Sequence, residues 1–101
     1  MPAYWIARSR VDDAVQYKKY AEQVPPIVAS HGGKFLARGG RHQLMEGAET
    51  VFKRFVIIEF PSFEAGVACF ESPQYRKAAA HRRSGAGVVE IVMLEALEPG
   101  A

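Results

Sequence analysis

The stretch Val51–Phe60 places four apolar residues in a row, Phe55-Val56-Ile57-Ile58. Near the C-terminus, Val88-Val89-Glu90-Ile91-Val92-Met93-Leu94 is almost as uniform. A strand with one wet face alternates apolar and polar side chains. Neither stretch does, so both faces of the sheet they enter require cover. Helices of the same chain supply one cover, and a second copy of the chain supplies the other.

The remaining elements follow from the same patterning. Pro2–Arg10, with Tyr4, Trp5 and Ile6, reads as a first strand. Asp12 offers an N-cap, after which Ala14, Tyr17, Ala21, Val24 and Val28 recur on one helical face. Pro25-Pro26 predicts a kink or a second short helix, and Gly32-Gly33 a stop. Lys34–Arg41 reads as a strand bent by Gly39-Gly40, which His42–Glu46 can continue. Gly47 to Thr50 makes a turn, and Val51–Phe60 returns antiparallel. Ser62 and Ser72-Pro73 then open two helical segments, the second ending in His81-Arg82-Arg83 and Gly85. Gly87–Leu97 is the last strand and Glu98–Ala101 a tail.

The order is βαββαβ in a single domain over residues 1–101. Two split βαβ units of this kind give an α+β, ferredoxin-like fold, a four-stranded antiparallel sheet with its helices on one face. Two such sheets placed face to face enclose a dimeric α+β barrel.

Composition narrows the partners. A net charge of +2, spread without like-charge runs, argues against nucleic acid and anionic membrane. In the third strand the aromatic pair with which RNA-recognition domains stack bases is incomplete, because Ile57 stands where the central aromatic would be. No apolar run reaches membrane-span length, and no signal peptide opens the chain, so a cytoplasmic location is expected. The lone Cys69 excludes an internal disulfide and reads as a buried, inert thiol. His31, His42 and His81 show no metal-ligand spacing, and neither a metal nor a cofactor is expected.

Several segments resemble a bacterial family. They are Tyr4-Trp5-Ile6-Ala7, Tyr17 and Tyr20, His31-Gly32-Gly33, and Phe35-Leu36-Ala37-Arg38-Gly39-Gly40. Glu46-Gly47, Arg54, Ile58-Glu59-Phe60-Pro61-Ser62 and Ser72-Pro73-Gln74-Tyr75 continue the likeness in order. The family is domain of unknown function 1330, within the dimeric α+β barrel superfamily. The resemblance implies a homodimer of the fold above and no particular reaction. Wider relatives include cofactor-independent monooxygenases, lactone isomerases and haem proteins, so fold likeness alone assigns no chemistry.

Five residues are candidates for a ligand site. Arg38, followed by two glycines, can hold a carboxylate or enolate bidentately; the plainer reading is an ion pair with Glu46, Glu59 or Glu90. Arg54 and Glu59 differ by five positions and so face opposite sides of a regular strand. Glu59 would suit a general base only if desolvated and unpaired. Tyr17 and Tyr20 share a helix face, either orienting a ligand or packing on the sheet. The expectation is a homodimer that binds a small organic acid or aromatic ligand, with cofactor-independent oxygenase or isomerase chemistry as its enzymatic form. The competing expectation is a non-catalytic structural dimer.

Overall fold

A computed structural model describes the chain over residues 1–98, so the end of the expected tail lies outside the described residues. Strand β1 (Ala3–Val11) leads into helix α1 (Ala14–Ser30), followed by β2 (Lys34–Arg38) and β3 (Arg54–Phe60). Helices α2 (Phe63–Glu71) and α3 (Pro73–Arg83) precede β4 (Gly87–Glu95). The four strands are ordered β2-β3-β1-β4, all pairs antiparallel. This is the α+β, ferredoxin-like arrangement.

The inward face carries the apolar half of each strand. Ala3 and Trp5 of β1 and Val56, Ile58 and Phe60 of β3 are buried against Tyr17, Tyr20, Val24 and Val28 of α1. Those helical positions recur every three or four residues, which aims them all at the sheet. Each buried side chain of this size contributes about 1.5–3 kcal/mol. Tyr75 of α3 completes the layer, edge-on to Trp5 with ring centroids 5.2 Å apart.

Helix boundaries follow their caps. Asp13, rather than Asp12, caps α1, accepting from the Val15 and Gln16 amides at 3.1 and 3.2 Å. Asp12 pairs with Arg10 instead, at 2.9 Å. Ser62 caps α2, and Ser72 both ends α2 and caps α3, with Pro73 in the first turn.

Two local expectations change. The second short helix offered as one alternative at Pro25-Pro26 does not form, since α1 runs unbroken from Ala14 to Ser30. Proline at 25 leaves the Ala21 carbonyl without its helical donor, and Arg38 Nη2 fills the gap at 2.7 Å. Strand β2 ends at Arg38 and β3 begins at Arg54, so His42–Glu46 extends no strand. Gly39 and Gly40 both take positive φ, +69° and +85°, and turn the chain off the sheet at once.

The outward face is uncovered. Ile6 stands beside Ile57 on one neighbour and Val92 on the other, and these three side chains are 39, 37 and 58% exposed. Phe55 and Leu94 extend the apolar patch, and only Arg8 and Glu90, paired at 2.7 Å, interrupt its middle.

Candidate functional site

A pocket opens between α1 and the inward face of the sheet. Trp5, Ala7 and Ser9 of β1 and Val56 and Ile58 of β3 form its floor. Tyr17, Tyr20 and Val24 of α1 form its roof, with Phe35 at one side. Arg38 and Arg54 complete the lining. Mouth included, the pocket encloses about 440 Å³, but the part wide enough for a water centre is about 30 Å³. That space holds roughly two waters, so an occupant must be compact.

A β-bulge delivers Arg38 to this side. Phe35 stands opposite Ile58 and Ala37 opposite Ile57, so β2 spends an extra residue, Leu36, over one step of β3. Arg38 therefore pairs with Val56, an inward residue, rather than with outward Phe55. Besides its bond to Ala21 O, its guanidinium lies 4.9 Å from the Phe35 ring centre. Arg54, on the same face by simple alternation, lies 5.8 Å from the Tyr17 ring centre.

Neither arginine is paired with a carboxylate among the described residues. Among the described residues no Asp, Glu, His or Cys lines the pocket. The site is thus an aromatic and aliphatic cleft with two guanidinium groups and no internal counter-charge. It contains no group whose ordinary pKa suits a general base near neutral pH.

Of the five expected site residues, the structure brings together Arg38, Arg54, Tyr17 and Tyr20. Glu59 stands apart on the outward face, 3.7 Å from Lys34. A wider hollow, about 1170 Å³ with its mouth included, lies along the segment joining β2 and β3, lined by Met45, Phe52 and Phe55 among others. It borders the open face, and its walls are largely exposed chain without regular structure. The pocket beneath α1, built on packed elements, is the better-defined site.

Sequence reasoning missed two residues behind the pocket. Tyr75 is fully buried and its hydroxyl lies 2.7 Å from that of Tyr20. Arg82 is 7% exposed, donates to Tyr75 Oη at 3.2 Å and faces the Tyr20 ring at 5.1 Å. Its last-turn position suggests a cation that complements the helix dipole. The overlooked signal is spacing: Tyr75, Ala78, Ala79 and Arg82 occupy the i, i+3, i+4, i+7 positions of one helical face. Burial, followed by the neighbouring Tyr75 hydroxyl, pushes the Tyr20 phenol well above its ordinary pKa, and Arg82 offsets part of that rise. Tyr20 therefore remains a protonated donor at neutral pH.

The chain belongs to the family described as domain of unknown function DUF1330, whose profile matches residues 2–97. No curated protein matches it. A crystal structure of a protein of unknown function from Rhodopseudomonas palustris is 25% identical, with a TM-score of 0.77 over 97% of this chain and 84% of that one. SnoaB, a cofactor-independent oxygenase from Streptomyces nogalater, is 13% identical with a TM-score of 0.60, over 96% of this chain and 94% of SnoaB. A dimeric ferredoxin-like protein of unknown function from Jannaschia is likewise 13% identical, with a TM-score of 0.62 over 95% of this chain and 100% of that one. These last two likenesses concern the fold alone. Among the described residues no helix is long and apolar enough to cross a membrane.

Proposed function

We propose that the protein is a homodimer in which each protomer binds one small organic carboxylate beneath α1. The observation that carries the ligand class is the pair Arg38 and Arg54 on a pocket with no acidic side chain. Charge-assisted hydrogen bonds from guanidinium to carboxylate are the strong kind, and aromatic walls suit the organic part of the ligand. The reading is one of binding, because the lining offers no general base. Dimerisation through the outward face is supported by its exposed Ile6, Ile57 and Val92 and by the dimeric ferredoxin-like relative. A reducing, cytoplasmic setting agrees with a free, buried Cys69.

A second reading, a dimer with no ligand, draws on the 30 Å³ interior. Thermal shift with formate, acetate, propionate and pyruvate separates the two. An acid at a hundredfold over its Kd adds about 2.7 kcal/mol and raises Tm by several degrees. We expect such a shift with at least one acid, lost in the Arg38→Met/Arg54→Met double variant. Silence from all four acids, or an equal shift in that variant, would overturn the carboxylate site.

A further inference from the structure

The Tyr20–Tyr75 hydrogen bond has a direction that its surroundings select. Tyr75 is fully buried, and its hydroxyl meets only Tyr20 Oη and Arg82 Nη2 among the described residues. Guanidinium nitrogen donates and never accepts. The Tyr75 proton therefore has one available acceptor, the oxygen of Tyr20. Were Tyr20 to donate instead, the Tyr75 proton would be left unpaired in the core, facing a cation. Buried polar groups are very rarely left so. With Tyr75 donating, the Tyr20 proton is released from the pair, and Tyr20 lines the pocket.

Arg82 itself supports a role beyond packing. It is a buried guanidinium with no carboxylate partner, and its Nε is left without any hydrogen-bond partner among the described residues. An apolar side chain of similar length would avoid that cost. The guanidinium's hydrogen bond to Tyr75 heads a chain running Arg82 to Tyr75 to Tyr20, each link polarising the next.

We propose that Arg82 and Tyr75 are positioning residues that turn the Tyr20 hydroxyl proton into the pocket. The site then favours acids that carry a second oxygen acceptor beside the carboxylate, such as 2-oxo acids. This rests on the carboxylate site proposed above. The arginines hold the anionic end, and Tyr20 donates to the uncharged oxygen.

The test compares pyruvate with propionate, two three-carbon acids that differ by the keto oxygen, in NMR titrations of the intact protein. We expect the wild type to bind pyruvate about three- to tenfold more tightly, the range of one neutral hydrogen bond. Tyr20→Phe should abolish the preference. Tyr75→Phe and Arg82→Met should each remove at least half of it, leaving propionate affinity within about twofold. Should Tyr75→Phe fail to fold, Arg82→Met carries the comparison, since it adds no polar group to the core.

Equal binding of both acids by the wild type, with binding still dependent on Arg38 and Arg54, would overturn this inference alone. So would an undiminished preference in the foldable variants, or an equal loss for both acids. Failure of both acids to bind would overturn the carboxylate site and this inference with it.

Discussion

Arg38 occupies the place that Pro25 vacates in the hydrogen-bond ladder of α1. The Ala21 carbonyl would receive the amide of residue 25 in an unbroken helix, and the guanidinium reaches it from β2 at 2.7 Å. The proline thus both tolerates and tethers the arginine. Pro25→Ala should restore the helical bond and stabilise the protein by about 1–2 kcal/mol, part of the difference between proline and alanine in a helix interior. It should also free Arg38 and weaken pyruvate binding severalfold. Urea unfolding and NMR titration of one variant check both halves; a variant no more stable than wild type would mean the arginine replaces the lost bond in full.

Leu36 is the residue that β2 accommodates without spending a step of β3. Its deletion should leave Phe35 opposite Ile58 and Arg38 opposite Val56, now without a bulge. Pyruvate affinity should stay within about threefold of wild type. Loss as large as that of Arg38→Met would show that the bulge itself shapes the pocket.

Ile57 lies at the middle of the outward face, beside Ile6. Ile57→Lys places a charge in the proposed interface, while in a single protomer the side chain already reaches solvent. Light scattering after size exclusion should show a dimer for the wild type and a folded monomer for the variant.

Replacement of the buried charge should not cost stability. Arg82→Met is expected to equal the wild type or exceed it by up to about 2 kcal/mol, as apolar replacements of buried ionic groups often do. Tyr75→Phe, by contrast, leaves Arg82 with no acceptor and should lose about 1–3 kcal/mol. Denaturant midpoints that place Arg82→Met below Tyr75→Phe would contradict this order.

Burial raises the Cys69 thiol from 9.0 to about 11. Between these values the unfolded chain releases the proton while the folded chain keeps it, so stability falls as pH rises above 9. Well below pH 9, where both states keep the proton, the thiol contributes no slope. Chemical denaturation at pH 8, 9 and 10 should show the decline, and Cys69→Ala should flatten much of it. Tyr20, also raised, adds a loss of the same sign above pH 10.

Gly33 tests packing alone. A β-carbon there would stand 2.7 Å from both Phe60 Cε1 and Val28 Cγ1. Both are fully or almost fully buried, so neither can move aside easily. Gly33→Ala should cost about 1–3 kcal/mol, read as a fall in Tm.

The fold was legible because strand length, cap residues and helical spacing are local properties. The two-faced character of β3 and β4 followed from runs such as Phe55–Ile58, and Ser62 and Ser72 marked their helices correctly. The site was legible in part. Arg54 and Glu59 separate by parity alone, whereas the face of Arg38 depends on a bulge between Phe35 and Ala37 that Gly39-Gly40 did not locate. Pro25 suggested a kink or a new helix because the donor that compensates it, Arg38, comes from another element, seventeen residues beyond Ala21. Arg82 reads in sequence as one of three basic residues ending α3, because a run of cations at a helix C-terminus hides the spacing that places one of them on the buried face.

The chain of donors behind the pocket has a polarity fixed at its remote end. With a cation at 82, Tyr75 passes its proton forward and Tyr20 offers a hydrogen to whatever enters. An acceptor at 82 would draw the Tyr75 proton backward, turn Tyr20 towards Tyr75, and present the pocket with a lone pair. A site of this construction can exchange a taste for carbonyls for a taste for hydroxyls through a residue that never meets the ligand.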